Sequence, residues 1–293
     1  MSNKILVLGA TGNIGSVIVE NLQRKKADFI AGVPSSEMKK LKNDVKGVEV
    51  DFSDASSLER ALKGIDSLFM LVPFMEPIQN WGKNIIDAAK KMNVKFVLRS
   101  SLMDSSPDSK YAIYQIHGKI DQMLRDSRIP CCIVHPNAFM QNFVQFYGQS
   151  ITEKDEFYFP DKDLQFSWVD VRDIAAVDTE ILLNPSVHQN KDYTVTGSEA
   201  LTFSRIATIL SKVTGRSIRF VEVSNDQYIA AMRSMGAPEW SIGMTMSLWE
   251  YAKTGKGAEV SNTVFSLTGR NPITFEQFVR DYAKNWGKVL VTA

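Results

Sequence analysis

The chain has 293 residues but only two cysteines, and these are neighbours, Cys131 and Cys132. A disulfide framework or a metal site suits such a pair less well than a buried strand of reduced thiols. An excess of one charge is missing too: 34 basic and 33 acidic residues leave a net charge of +1. That gives no electrostatic footprint for nucleic acid or an anionic membrane. No apolar run approaches the length of a membrane span. The first apolar run starts within a few residues of Met1, which leaves no room for a leader. Repeats, low-complexity tracts and long linkers are absent as well. What remains is ordinary for a globular protein, 44% hydrophobic and 23% charged, with length for one large or two modest domains. The expectation is a cytoplasmic protein, monomer or homodimer, without nucleic-acid, membrane or metal partners.

Against these absences, one stretch stands out. Ile5 to Leu8 is continuously apolar and suits a strand buried on both faces of a parallel sheet. It runs into Gly9, Ala10, Thr11, Gly12, Asn13, Ile14 and Gly15. Apolar residues then recur with helical spacing at Ile14, Val17, Ile18 and Leu22. Glycines between a strand and a helix are the context of the dinucleotide-binding turn. Gly9 makes the tight turn, Gly12 lets backbone approach a pyrophosphate, and Gly15 lets helix and strand pack closely. The spacing is G-x-x-G-x-x-G rather than G-x-G-x-x-G.

Five further strand and helix alternations follow. Strands are expected at Phe29–Val33, Val48–Val50, Ser67–Val72, Lys95–Leu98 and Pro130–Val134. Helices are expected after Ser35 or Ser36 as cap, after Ser53 or Asp54, from Ile78, and from Tyr111 to Arg125. This rhythm gives an α/β fold, a Rossmann-type doubly wound parallel sheet. Beyond about residue 150 it loosens into a smaller α+β part. The expected domains are 1–150, binding the nucleotide, and 151–293, on the substrate side, with some elements rejoining the first. In such sheets ligands meet the carboxyl ends of strands. Besides Gly9–Gly15, that selects Val33, Pro34 and Ser35, Asp51 and Phe52, Val72, Pro73 and Phe74, Ser100 and Ser101, and Pro136, Asn137, Ala138 and Phe139.

GATGNIG at 9–15, VEVDFSD at 48–54, HPNAFMQNF at 135–143, SWVDVRDIA at 167–175, YTVTG at 193–197 and LTGRNPITFEQFV at 267–279 carry a resemblance. The chain resembles the NmrA-like branch of atypical short-chain dehydrogenases/reductases over nearly its whole length. It looks closest to members that reduce quinones or dyes with NAD(P)H. That implies hydride transfer to a small planar acceptor such as a quinone. Relatives that bind the cofactor without turnover leave an NAD(P)-sensing regulator as the alternative.

The Tyr-x-x-x-Lys pair of ordinary short-chain dehydrogenases is missing. Tyr114 and Lys119 are five apart and turn away from each other on a helix. His117 takes about the position where the resemblance implies a catalytic residue, and Lys119 serves if the register slips. From the apolar pattern Ile113, Ile116, Ile120, Met123 and Leu124, His117 lies at the rim of the buried face, poised to donate a proton. The plain alternative is a partly exposed helix histidine. Asp170 and Asp173 suit capping and bridging better than acid–base work, and one of Phe139 and Phe143 suits the core. Ser100 and Ser101 touch a ribose or cap a turn. Trp240, Met244, Met246, Trp249 and Tyr251 are core, or wall an apolar pocket.

Cofactor choice turns on the end of the second strand, where an acid would take a free ribose hydroxyl. The run there is Val33-Pro34-Ser35-Ser36, without acid, and Pro34 stands where the family's NADP binders commonly have arginine. Ser35, Ser36, Lys39 and Lys40 suit a 2′-phosphate, so NADPH is favoured over NADH.

Overall fold

Runs that are apolar on both faces form the centre of the first sheet. In the computed structural model, which describes residues 3–287, the strands β1 (Ile5–Leu8), β2 (Phe29–Val33), β3 (Gly47–Glu49), β4 (Ser67–Met70), β5 (Phe96–Ser100) and β6 (Cys131–Pro136) alternate with helices α1 (Asn13–Arg24), α2 (Ala55–Leu62), α3 (Ile78–Lys91) and α4 (Ala112–Asp126). β1, β4 and β5 are buried at every position. Burial on both sides is what an all-parallel sheet requires. β2 and β3 are joined by a short 3-10 helix, Ser35–Lys40, not by an α-helix.

The chain then passes through α5 (Gly148–Lys154), β7 (Glu156–Phe159) and β8 (Gln165–Phe166), and continues as α6 (Val171–Leu183), α7 (Pro185–His188) and β9 (Lys191–Val195). The last stretch holds β10 (Leu201–Thr202), α8 (Phe203–Thr214), β11 (Arg219–Glu222), α9 (Asn225–Ser234), α10 (Glu239–Ala252), α11 (Thr263–Thr268) and α12 (Phe275–Asp281).

Two compact units result. The first contains the chain up to Pro136, Val171–Val195 and Ser266–Gly269. Its seven strands lie in the order β3-β2-β1-β4-β5-β6-β9, and every pair is parallel. The order reverses at β1, whose neighbours are β2 and β4. Helices α2, α3 and α4 pack side by side, and α1 packs on α6. The carboxyl ends of all seven strands share one edge.

Among the described residues, the second unit contains Asn137–Asp170, Thr196–Phe265 and 270–287. Its strands are short: β7 pairs with β11 in parallel, and β8 with β10 antiparallel. Its core is aromatic. Phe143, fully buried, has Tyr147, Phe157, Trp168 and Phe275 within 6 Å between ring centroids. Among the described residues no helix is long and apolar enough to cross a membrane.

Candidate active site

β1 delivers the chain into Gly9, whose φ of +67° is left-handed and favours glycine. The Gly12 amide donates to the Gly9 carbonyl at 2.9 Å and closes the turn. A side chain at Gly15 would put its Cβ 2.1 Å from the same carbonyl oxygen, so α1 can start this close to β1 only with glycine there. At Gly12 an added Cβ would meet that oxygen alone, at 3.3 Å, and otherwise open space. Gly12 is the N-cap of α1; it offers no side-chain cap, and the first turn holds no acid. α1 itself therefore brings neither a side-chain cap nor an acid to its helix-opening amides and positive dipole end. That arrangement, at the point where strand order reverses, fits a pyrophosphate.

Across β2 the structure corrects the reading of the chain. Val33 is buried, while Pro34, Ser35 and Ser36 are exposed. Pro34 opens the 3-10 helix and no serine caps it. Glu37 turns back, and its carboxylate accepts from the Thr11 hydroxyl in the glycine turn and from the Lys40 ammonium. The Lys40 bond first, then the Thr11 bond, holds Glu37 below the usual carboxylate range. An acid does follow the second strand, beside the phosphate turn. The sequence hides it because only the 3-10 turn brings it back.

Farther along the edge, Asp51 is exposed and accepts from the Ser53 amide at 2.7 Å. Phe52 is buried against Trp81, ring centroids 5.8 Å apart. Val72 is buried, Pro73 half-buried, and Phe74 is 43% exposed.

The end of β5 meets α4 in a buried polar cluster. Arg99 is completely buried, and its Nε donates to Asp121 Oδ1 at 2.8 Å. Its Nη1 donates to the Ser100 carbonyl at 3.0 Å, and its Nη2 lies 3.3 Å from His117 Nδ1. Asp121 Oδ2 accepts from the hydroxyls of Ser101, at 2.6 Å, and Ser105, at 2.7 Å. Burial alone would raise Asp121; Arg99 and the two serines outweigh it and hold the carboxyl below its usual range. Ser101 thus has an internal partner, with its hydroxyl facing Asp121.

His117 lies on the helix face that holds the buried Ile113, Tyr114, Gly118, Ile120, Asp121 and Leu124, and is itself half-buried. Ile116 and Met123, expected inward, are not fully buried. Gly118 brings the helix against backbone: its Cβ would lie 2.1 Å from the Ser106 carbonyl carbon. Burial, and then the Arg99 charge, push His117 down to about 3. With its pKa held that low, the ring is neutral near pH 7. Lys119, two positions on, is turned roughly 200° around the helix and donates to Gln115 Oε1 at 3.0 Å. The helix separates the two candidates.

Pro136 ends β6, and Asn137, Ala138 and Phe139 begin the second unit. Asn137 is buried with its amide engaged: Nδ2 donates to Ser167 Oγ and the Gly257 carbonyl, and Oδ1 accepts from the Ala138 amide. Phe139 bridges to Val169, and Phe143 belongs to the aromatic core. Asp170 accepts from Gln141 in the second unit, while Asp173 is buried in the first turn of α6. Trp249 packs edge-on against Phe159, centroids 4.6 Å apart, so that part of the α10 stripe is core.

Arg99, Asp121, Ser105 and Glu37 escaped the sequence reading. The expected strand stopped at Leu98; only the observed β5, which runs on to Ser100, puts Arg99 inside a buried strand, where an arginine demands a buried acid.

Sheet order and glycine turn together define a Rossmann-type α/β protein. The chain belongs to the NmrA-like family, whose sequence model matches residues 1–262. NAD(P)H azoreductase of Xenophilus azovorans is 36% identical over 286 residues, 97% of this chain and 99% of that one. Quinone oxidoreductase 2 of Escherichia coli is 26% identical over 283 residues, 94% of this chain and 97% of that one. A solved NADPH-dependent quinone oxidoreductase from Escherichia coli, complexed with NADPH, shares the fold with a TM-score of 0.85. It is 24% identical, and the match covers 95% of this chain and 99% of that one.

Proposed function

We propose that the chain is an NAD(P)H-dependent oxidoreductase that reduces small planar acceptors, quinones or azo compounds among them. The observation that carries this reading is the acid-free, uncapped start of α1 behind Gly9–Gly15, at the reversal of strand order. It is supported by 36% identity to an NAD(P)H azoreductase over almost the whole of both chains. The bound nicotinamide supplies a hydride; the protein supplies binding, proximity and a hydrogen-bond donor. Loop amides hold the pyrophosphate, and His117 serves the acceptor. Lys119 is left out of the site.

For the cofactor we propose a preference for NADPH. Glu37 opposes a 2′-phosphate, but Lys40 pairs with it, and Lys39 adds a positive charge on the same 3-10 helix. Glu37→Gln should then tighten NADPH about three- to tenfold and leave NADH nearly unchanged. A wild type that binds NADH more tightly than NADPH in calorimetry would end this preference.

The test of the function is consumption of NADPH and NADH, followed by absorbance, against a panel of quinones and azo dyes. Gly12→Val, which places a branched side chain where the pyrophosphate approaches, should weaken cofactor binding about tenfold or more in a folded protein. Cofactor binding without consumption across the panel would favour a sensing role.

A further inference from the structure

A guanidinium has five N–H groups and no acceptor. Where Arg99 Nη2 meets His117 Nδ1 at 3.3 Å, the arginine can only donate and the imidazole nitrogen can only accept. We infer that Arg99, clamped by Asp121, fixes His117 as the neutral tautomer that carries its proton on Nε2, and so makes it a standing N–H donor. The inference rests on the reductase reading for its use, though the tautomer itself does not depend on that reading.

Arg99 has no freedom to turn away. It is 0% exposed, its Nε is bonded to Asp121 and its Nη1 to the Ser100 carbonyl. Asp121 is fixed in turn by Ser101 and Ser105. The clamp therefore joins β5 to α4 and holds the histidine through its ring nitrogen. A buried ion pair is seldom more stable than well-packed apolar residues of the same volume. Its use here is orientation.

The charged and titratable groups around His117 come from three elements: Arg99 on β5, Asp121 on α4 and His135 on β6. A second ring proton, on Nδ1, would face the guanidinium N–H, so the cation is disfavoured by contact as well as by burial. The chemistry does not need it. An acceptor that takes a hydride gains two electrons and one proton and becomes an anion. Nε2–H can stabilise that anion by a hydrogen bond, and solvent water supplies the second proton. Arg99 and Asp121 are positioning residues in this scheme.

The test is nitrogen NMR of protein labelled in its histidine rings, of which there are three, with His117 assigned by its loss in His117→Gln. The expected result is one acceptor-type nitrogen at Nδ1 and one protonated nitrogen at Nε2, unchanged from about pH 8 to about pH 5. A proton on Nδ1, or a cationic ring near pH 6, would overturn the inference whatever the enzyme reduces. The second arm is Arg99→Met/Asp121→Leu, which replaces the pair by apolar bulk. There burial still holds His117 below its usual range, but with the Arg99 donor gone both neutral tautomers should be populated in the nitrogen spectrum, and kcat should fall about tenfold with unchanged cofactor Kd. An unchanged kcat in the folded double variant, with the tautomer released, would remove the catalytic role. If the double variant does not fold, the wild-type spectrum alone decides the tautomer.

Discussion

Two helices packed on the seven-stranded sheet, α4 and α6, both bury aspartates in mid-helix, and two of these carboxylates, Asp121 and Asp178, end in opposite states. Asp121 on α4 is 1% exposed, and Asp178 on α6 is 0% exposed. Asp121 has Arg99, Ser101 and Ser105 as partners. Neither oxygen of Asp178 has a hydrogen-bond partner among the described residues. Burial raises both groups. At Asp121 the partners outweigh it and the carboxyl stays ionised; at Asp178 burial acts alone and pushes it well above the usual range. Burial thus sets the cost of charge, and partners decide whether it is met.

The strongest way to break the comparison is to take the partner from Arg99. Asp121→Ala leaves a fully buried guanidinium without a counter-charge and should destabilise the protein by about 3–5 kcal/mol in denaturant unfolding. Arg99→Met/Asp121→Leu should recover most of that. A loss below about 1 kcal/mol in Asp121→Ala would mean that solvent reaches the pair in solution.

At the other aspartate the sign reverses. Asp178→Val removes two orphaned oxygens from an apolar setting and should stabilise by about 1–2 kcal/mol, a small part being lost to the branched residue in a helix. Destabilisation would show that Asp178 has a partner in solution.

The same contrast explains what was legible. β1, the glycine turn and α1 could be read because their determinants are contiguous: an apolar run, three glycines, then a periodic stripe. The Asp121 cluster could not, because its partners come from β5 and the turn after it. The apolar template took Ile116 and Met123 as inward and had no place for a carboxylate between Ile120 and Leu124. Glu37 was missed for a related reason: its partner Thr11 lies 26 residues back, joined only by the fold. In the second unit, Glu156–Phe159 alternates burial as an ordinary strand does, yet its pairing with β11 is not local.

The smallest effect, and the sharpest comparison, is in pH dependence. His117 is depressed in the folded state to about 3, so the unfolded chain takes up its proton first as pH falls through about 6.5. Its contribution is full above that pH and declines between about 6.5 and 3. His188, also lowered by burial, acts with the same sign. Asp178 acts oppositely. Its folded pKa is raised, so its contribution is full below about 3.9 and is lost as pH rises towards the folded value. Asp121, with a lowered pKa, enters only in stronger acid. As pH falls from neutrality, then, acidification removes stability at the histidines, and Asp178 opposes that loss where the pH lies below its raised folded value. Asp178→Val deletes one side of that balance. Its stability should fall by about 1 kcal/mol on account of His117 from pH 7 to about pH 5.5, with His188 adding a loss of the same sign, read from urea unfolding at each pH. The His117 part should vanish in Asp178→Val/His117→Gln. Equal slopes in wild type and Asp178→Val would mean that Asp178 is already ionised, and that burial without a partner does not hold it neutral.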